Sequence, residues 1–118
     1  MHNYRELKVW QKAVDLVTKV YQITYQFPSE EKFGLVSQIR RCAISIPSNI
    51  AEGAGRNTTK DFANFLSIAN GACSELSTQF LIARNLSYID ENCLVQVEQE
   101  IDEIQKMIFN LKKSMQKS

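Results

Sequence analysis

Gln38, Arg41, Ser45, Asn49, Glu52 and Arg56 recur at spacings of three and four, and Arg40 flanks them. On a helix that spacing puts at least the first five on one face. Such a set can do three kinds of chemistry. Arginines with exposed backbone N–H groups of GAGR can hold phosphates. Glu52 can act as a base beside arginines that clamp an anion. Alternatively the stripe is structural: Glu52 pairs with an arginine of its own or a neighbouring subunit, and Asn49 reaches the Ala43 carbonyl that Pro47 leaves without its helical donor.

Catalysis has the least support. The stretch holds no second carboxylate, and His2, at an end expected to fray, is the sole histidine of the chain. Cys42, Cys73 and Cys93 lack metal-type spacing and sit among apolar neighbours, so they read as reduced, buried small hydrophobes. No catalytic residue, metal ligand or cofactor is therefore expected. The GAG of GAGRNTT has no strand before it and no GK[ST] after it, so it is not a phosphate loop. Glu98, Glu100, Asp102 and Glu103 read as the solvated flanks of an apolar seam. Lys112, Lys113 and Lys117 suit the negative end of a helix dipole and read as a frayed tail.

The elements that must position the stripe are helical. Apolar residues repeat at helical spacing and no run alternates with period two. A first helix is expected from about Leu7 to Gln26, with Trp10, Ala13, Val17 and Val20 as its central stripe and Val9, Leu16 and Ile23 widening it. A second runs from about Glu30 to Glu52 with Ser29 as N-cap, burying Leu35 or Val36, Ile39, Ala43, Ile46 and Ile50. Pro47 lies inside it, at a cost of about 3 kcal/mol for an undistorted helix. Apolar spacing persists on both sides, which favours a kinked or tightened continuing helix; the rival is a break capped by Ser48 or Asn49 and ending at Gly53. After GAGRNTT, Thr58 or Thr59 caps a third helix from about Lys60 to Asn85, with Phe62, Phe65, Leu66, Ala69, Cys73, Leu76, Phe80 and Ala83 inward. Asp90 caps the fourth, whose seam is Leu94, Val97, Ile101, Ile104, Ile108, Leu111 and Met115. Short connections make this one domain over residues 1–118, an all-α, antiparallel up-down-up-down four-helix bundle.

The bulk properties agree. A chain of 118 residues, 44% hydrophobic and 23% charged, is a globular domain large enough for its own core. No run approaches the roughly 20 apolar residues of a membrane span, and MHNYRELKVW has no signal-peptide pattern, so a cytoplasmic location without membrane contact is expected. The net charge of +1 is unevenly spread: residues 1–59 hold eight Lys/Arg against five Asp/Glu, and residues 60–118 six against eight. Ile68, Leu81 and Ile82 widen the third helix beyond one seam, so self-association is expected.

YRELKVWQKAVDL, FPSEEKFGLVSQIRRCAISIPSNIAEGAGR and KDFANFLSIANGACSEL together resemble the four-helix-bundle proteins encoded in intervening sequences of bacterial 23S rRNA genes. The resemblance covers residues 4 to about 90. SIPSNIAEG after QIRR is its most specific part. The family in turn resembles the accessory variability protein of diversity-generating retroelements, which works with a reverse transcriptase and nucleic acid. The resemblance implies a cytoplasmic, non-enzymatic bundle that assembles as a ring, with a homopentamer as the expected size. It puts the signature on Gln38, Arg40, Arg41, Ser45, Pro47, Asn49, Glu52, Gly53 and Arg56. Two functions follow as expectations. One is weak, non-specific binding of RNA or DNA by Arg40, Arg41, Arg56 and Lys60. In the other, Gln38, Ser45, Pro47, Asn49, Glu52 and Gly53 hold the fold or an oligomer interface, and the ring is a scaffold for a protein partner such as a polymerase or reverse transcriptase.

Overall fold

The computed structural model describes residues 2–116, so Lys117 lies outside the described residues. Within them are four α-helices and no strand: α1 (Lys8–Thr24), α2 (Leu35–Ala54), α3 (Thr59–Asn85) and α4 (Glu91–Gln116). Short 3-10 turns at Tyr4–Glu6 and Ser29–Glu31 precede α1 and α2. Cross-helix contacts fix the path. Lys12 meets Glu103 while Lys19 meets Glu100, so α1 and α4 run antiparallel. Gln105 reaches Asn70 and Ser74 while Arg84 meets Glu91, so α3 and α4 do too. Arg40 reaches back to Thr24, and the Cys42 thiol reaches Ala72. The result is the expected up-down-up-down bundle, 47 Å long.

The core is one cluster along the bundle axis, from Val9, Ala13, Leu16 and Val20 through Ile39, Ile46, Ile50, Leu66, Leu76 and Phe80 to Val97, Ile104 and Ile108. The inward stripe of α1 is thus Val9–Ala13–Leu16–Val20. Trp10 and Val17 are half-buried at its edge, one position round from the expected stripe. From there Trp10 touches the core and packs edge-on against Tyr4, with ring centroids 5.2 Å apart. Phe65 is likewise half-buried rather than central.

The second helix starts later than its apolar pattern suggests. Ser29 is no α-helical cap; it opens the 3-10 turn, and Gly34 (φ −106°, ψ −110°) is non-helical. Glu31 does the capping. Its Oε1 accepts from the Leu35 N–H at 3.2 Å, and its Oε2 accepts from the Tyr88 hydroxyl at 2.8 Å. The other two caps fall as expected: Thr58 Oγ1 accepts from Asp61 N–H and Asp90 Oδ1 from Cys93 N–H.

α2 continues through Pro47 to Ala54, so the rival break at Ser48 or Asn49 does not occur. The polar neighbours of Pro47 do not serve Ala43 as expected. Asn49 Nδ2 donates to Ser45 O at 2.7 Å and Ser45 Oγ to Cys42 O at 2.6 Å, because i−4 and i−3 carbonyls are what short side chains on a helix reach.

α3 ends in a Schellman arrangement: Tyr88 N–H donates to Ala83 O and Ser87 N–H to Arg84 O, both at 2.9 Å. Ser87 sits at φ 63°, where a Cβ is unfavourable. Ser87→Gly is expected to stabilise the fold by about 0.5–1 kcal/mol, read from the urea midpoint; an unchanged or lower midpoint refutes it.

Candidate nucleic-acid interface

The polar stripe of α2 lies on the outer side of the α2–α3 pair. Gln38, Arg41 and Glu52 are exposed, and Ser45 and Asn49 half-buried. Pro47 and Gly53 are buried, Gly53 against α3. Ser45 and Asn49 are committed to α2 carbonyls, as above. Glu52 Oε1 accepts from Arg56 Nη2 at 3.1 Å, one turn on, so that expected ion pair forms within the chain. The Arg56 guanidinium also lies 4.8 Å from the Phe65 ring centroid. Among the described residues no three His, Cys, Asp or Glu are placed to hold a metal ion.

The structure separates the four expected phosphate contacts. Arg40 and Arg41 lie near the start of α2 and Arg56 beyond its end, about 23 Å away at 1.5 Å per residue. Arg40 is engaged with α1: Nε donates to Thr24 Oγ1 at 2.9 Å, Nη2 to Tyr21 O at 3.3 Å, and the guanidinium lies 4.3 Å from the Tyr21 ring centroid. Arg41 is exposed.

Arg56 and Lys60 gain company that the linear sequence conceals. The antiparallel path brings the starts of α1 and α3 and the ends of α2 and α4 to one end of the bundle. Arg5, Lys8, Arg56, Lys60, Lys112 and Lys113 gather there against Glu6, Glu52 and Asp61. Lys112 and Lys113 belong to α4 rather than to a frayed tail, and Lys112 Nζ is held by Ser67 Oγ at 2.6 Å. His2, expected at a frayed end, is held as well. Asn3 Oδ1 accepts from Arg5 N–H, and the chain folds back so that His2 N–H donates to Ala54 O at 2.9 Å and its ring packs on Phe62. The opposite end is weakly acidic, with Glu30, Glu31, Asp90 and Glu91 against Lys32, Arg40 and Arg84. The near-neutral total therefore hides two poles. Counting which helix ends the up-down path brings together exposes them.

One continuous helix carries both QIRR and SIPSNIAEG, and α3 packs on its GA end. The family model for the 23S rRNA-intervening sequence protein matches residues 5–110. The chain belongs to that family. The match extends past the motifs into α4, so the whole bundle is the family unit. No curated protein matches the chain. Among solved structures, it is similar to a crystal structure of a protein with unknown function from the S23 ribosomal protein family from Bacteroides thetaiotaomicron VPI-5482. The TM-score is 0.79 at 23% identity, covering 89% of this chain and 98% of that one. At that identity the likeness speaks for the fold.

Proposed function

We propose that this member of the family is a non-catalytic, self-associating bundle that binds RNA weakly and without sequence specificity through its basic end, in the cytoplasm. The observation that carries the reading is the gathering of Arg5, Lys8, Arg56, Lys60, Lys112 and Lys113 onto one pole from three helices, the turn before α1 and the α2–α3 connection. Clustered cations that release counterions from phosphates give affinity without base readout. Gly55 to Thr58 is an exposed turn beside these cations, so a backbone can approach it closely.

Self-association has separate support. Ile68 and Ile82 on α3 and Leu86 at its C-cap are exposed, at positions that fall on the α2-side flank, and a second copy would remove them from water. The family resemblance makes a homopentameric ring the expected form. The same face favours the second reading, a ring scaffold that presents a surface to a protein partner such as a polymerase without touching nucleic acid.

Binding titrations with structured RNA, single-stranded RNA and duplex DNA at several salt concentrations separate the two. The RNA reading expects log–log salt dependence, and expects Arg56→Ala and Lys60→Ala each to reduce its slope by about 1. Flat titrations for all three ligands overturn it in favour of the scaffold.

A further inference from the structure

We infer that the acidic end carries, on its α1–α2 edge, a stacking surface for single-stranded RNA: three exposed rings alternating with two cations in the order Tyr21, Arg40, Tyr25, Lys32, Phe33. The inference rests on the RNA-binding reading and adds the form of RNA and a second contact point. Tyr25 is 84% exposed, Phe33 88% and Tyr21 39%. The Arg40 guanidinium lies 4.3 Å from the Tyr21 ring centroid and the Lys32 ammonium 5.5 Å from that of Phe33. Tyr25 joins the two pairs. It lines one hollow of about 480 Å³ with Tyr21 and Arg40, and another of about 290 Å³ with Arg40 and Lys32.

The chemistry selects a polynucleotide strand over an apolar protein surface. Polar and charged groups lie among the rings: Gln22 and Arg40 in the first hollow, and Thr24, Ser29, Lys32 and Arg40 beside Phe27, Pro28 and Val36 in the second. Among the described residues neither Lys32 nor Arg40 has a carboxylate within ion-pair distance. Arg40 spends two of its five N–H groups on Thr24 and Tyr21, leaving three for a phosphate. Of the neighbouring acids, Glu31 is occupied by Leu35 and Tyr88, and Glu30 remains as the exposed counter-charge. Rings spaced by cations match a strand whose bases stack while its phosphates pair. A duplex cannot use them, because its bases are already stacked on each other and A-form grooves hide their faces.

Fluorescence anisotropy on the full chain, with a labelled oligouridylate and a blunt RNA duplex of equal phosphate number, tests this. Tyr25→Leu with Phe33→Leu is expected to weaken the oligouridylate by about 10- to 100-fold and leave the duplex unchanged. Tyr25→Phe, which keeps the ring, should leave both affinities as they are. Both rings are exposed, so neither variant threatens folding. Three results overturn the inference alone: duplex binding without single-strand binding in the wild type, retained oligouridylate affinity in the double leucine variant, or a smaller assembly of that variant by light scattering, which would make the rings a contact between copies. A wild type that binds neither probe overturns the RNA reading with it.

Discussion

At pH 11 the protein is expected to unfold at a much lower urea concentration than at pH 8. Burial pushes the Cys42 thiol up to about 12 from its ordinary 9.0, with Glu75 adding to the shift, and burial with Cys42 nearby does the same to Cys73. The Cys42 Sγ–H also donates to Ala72 O at 3.1 Å, a bond that only the protonated form makes. Above about pH 9 the unfolded chain gives up these two protons while the folded chain keeps them. Stability therefore falls as pH rises from the unfolded to the folded pKa, and is insensitive to these groups below that window. Each thiol contributes a slope of about 1.4 kcal/mol per pH unit, so the pair reaches a loss on the order of several kcal/mol by pH 11. Urea titrations at pH 8, 10 and 11 measure it. Cys73→Ala should remove about half of the slope; an unchanged slope in Cys42→Ala with Cys73→Ala would clear the thiols.

Gly53→Ala is the second large effect, about 1–3 kcal/mol of destabilisation. A Cβ at Gly53 would stand 2.6 Å from Phe65 Cβ and 2.9 Å from Phe62 Cδ1. Phe65 Cβ is fixed to its backbone, so no rotamer change relieves the clash and α2 must move off α3. Gly71 is the internal control, since nothing lies within 4 Å of its would-be Cβ. Gly71→Ala on exposed α3 is expected to gain up to about 1 kcal/mol through helix propensity. Equal denaturation midpoints for the two variants would show that close approach at Gly53 is not what limits that position.

These cases mark how far the sequence could be read. Helix number, order and, Phe65 aside, the α3 and α4 core stripes follow from apolar spacing, which packing obeys. Thr58 and Asp90 act on the next turn and could be read locally. The start of α2 could not, because Glu31 sits four residues before the N–H it caps and draws its other partner from Tyr88, 57 residues away. The α1 stripe keeps Ala13 and Val20 but centres on Val9 and Leu16, with Trp10 packed at the edge of the core and against Tyr4. For the candidate interface, the α2 stripe was visible as a pattern, and the Glu52–Arg56 pair follows from its spacing. The basic pole was not visible, since its cations are scattered over residues 5–113 and share one end of the bundle only through the antiparallel path. The aromatic row is equally non-local: Tyr21 and Tyr25 belong to α1 and its end, Lys32 and Phe33 to the following turn, and Arg40 to α2.

A charge separated along a 47 Å bundle is a permanent electric moment parallel to the helices. In the field of a polyanion that moment would exert a torque turning the basic end forward. Rotational symmetry about an axis along the helices cannot exchange the two poles. Any closed ring built that way would be two-faced, one rim multiplying the cations of Arg56 and Lys60 and the other the carboxylates of Glu30 and Asp90. Identical subunits would then tell the two sides of the ring apart without any sequence difference between them.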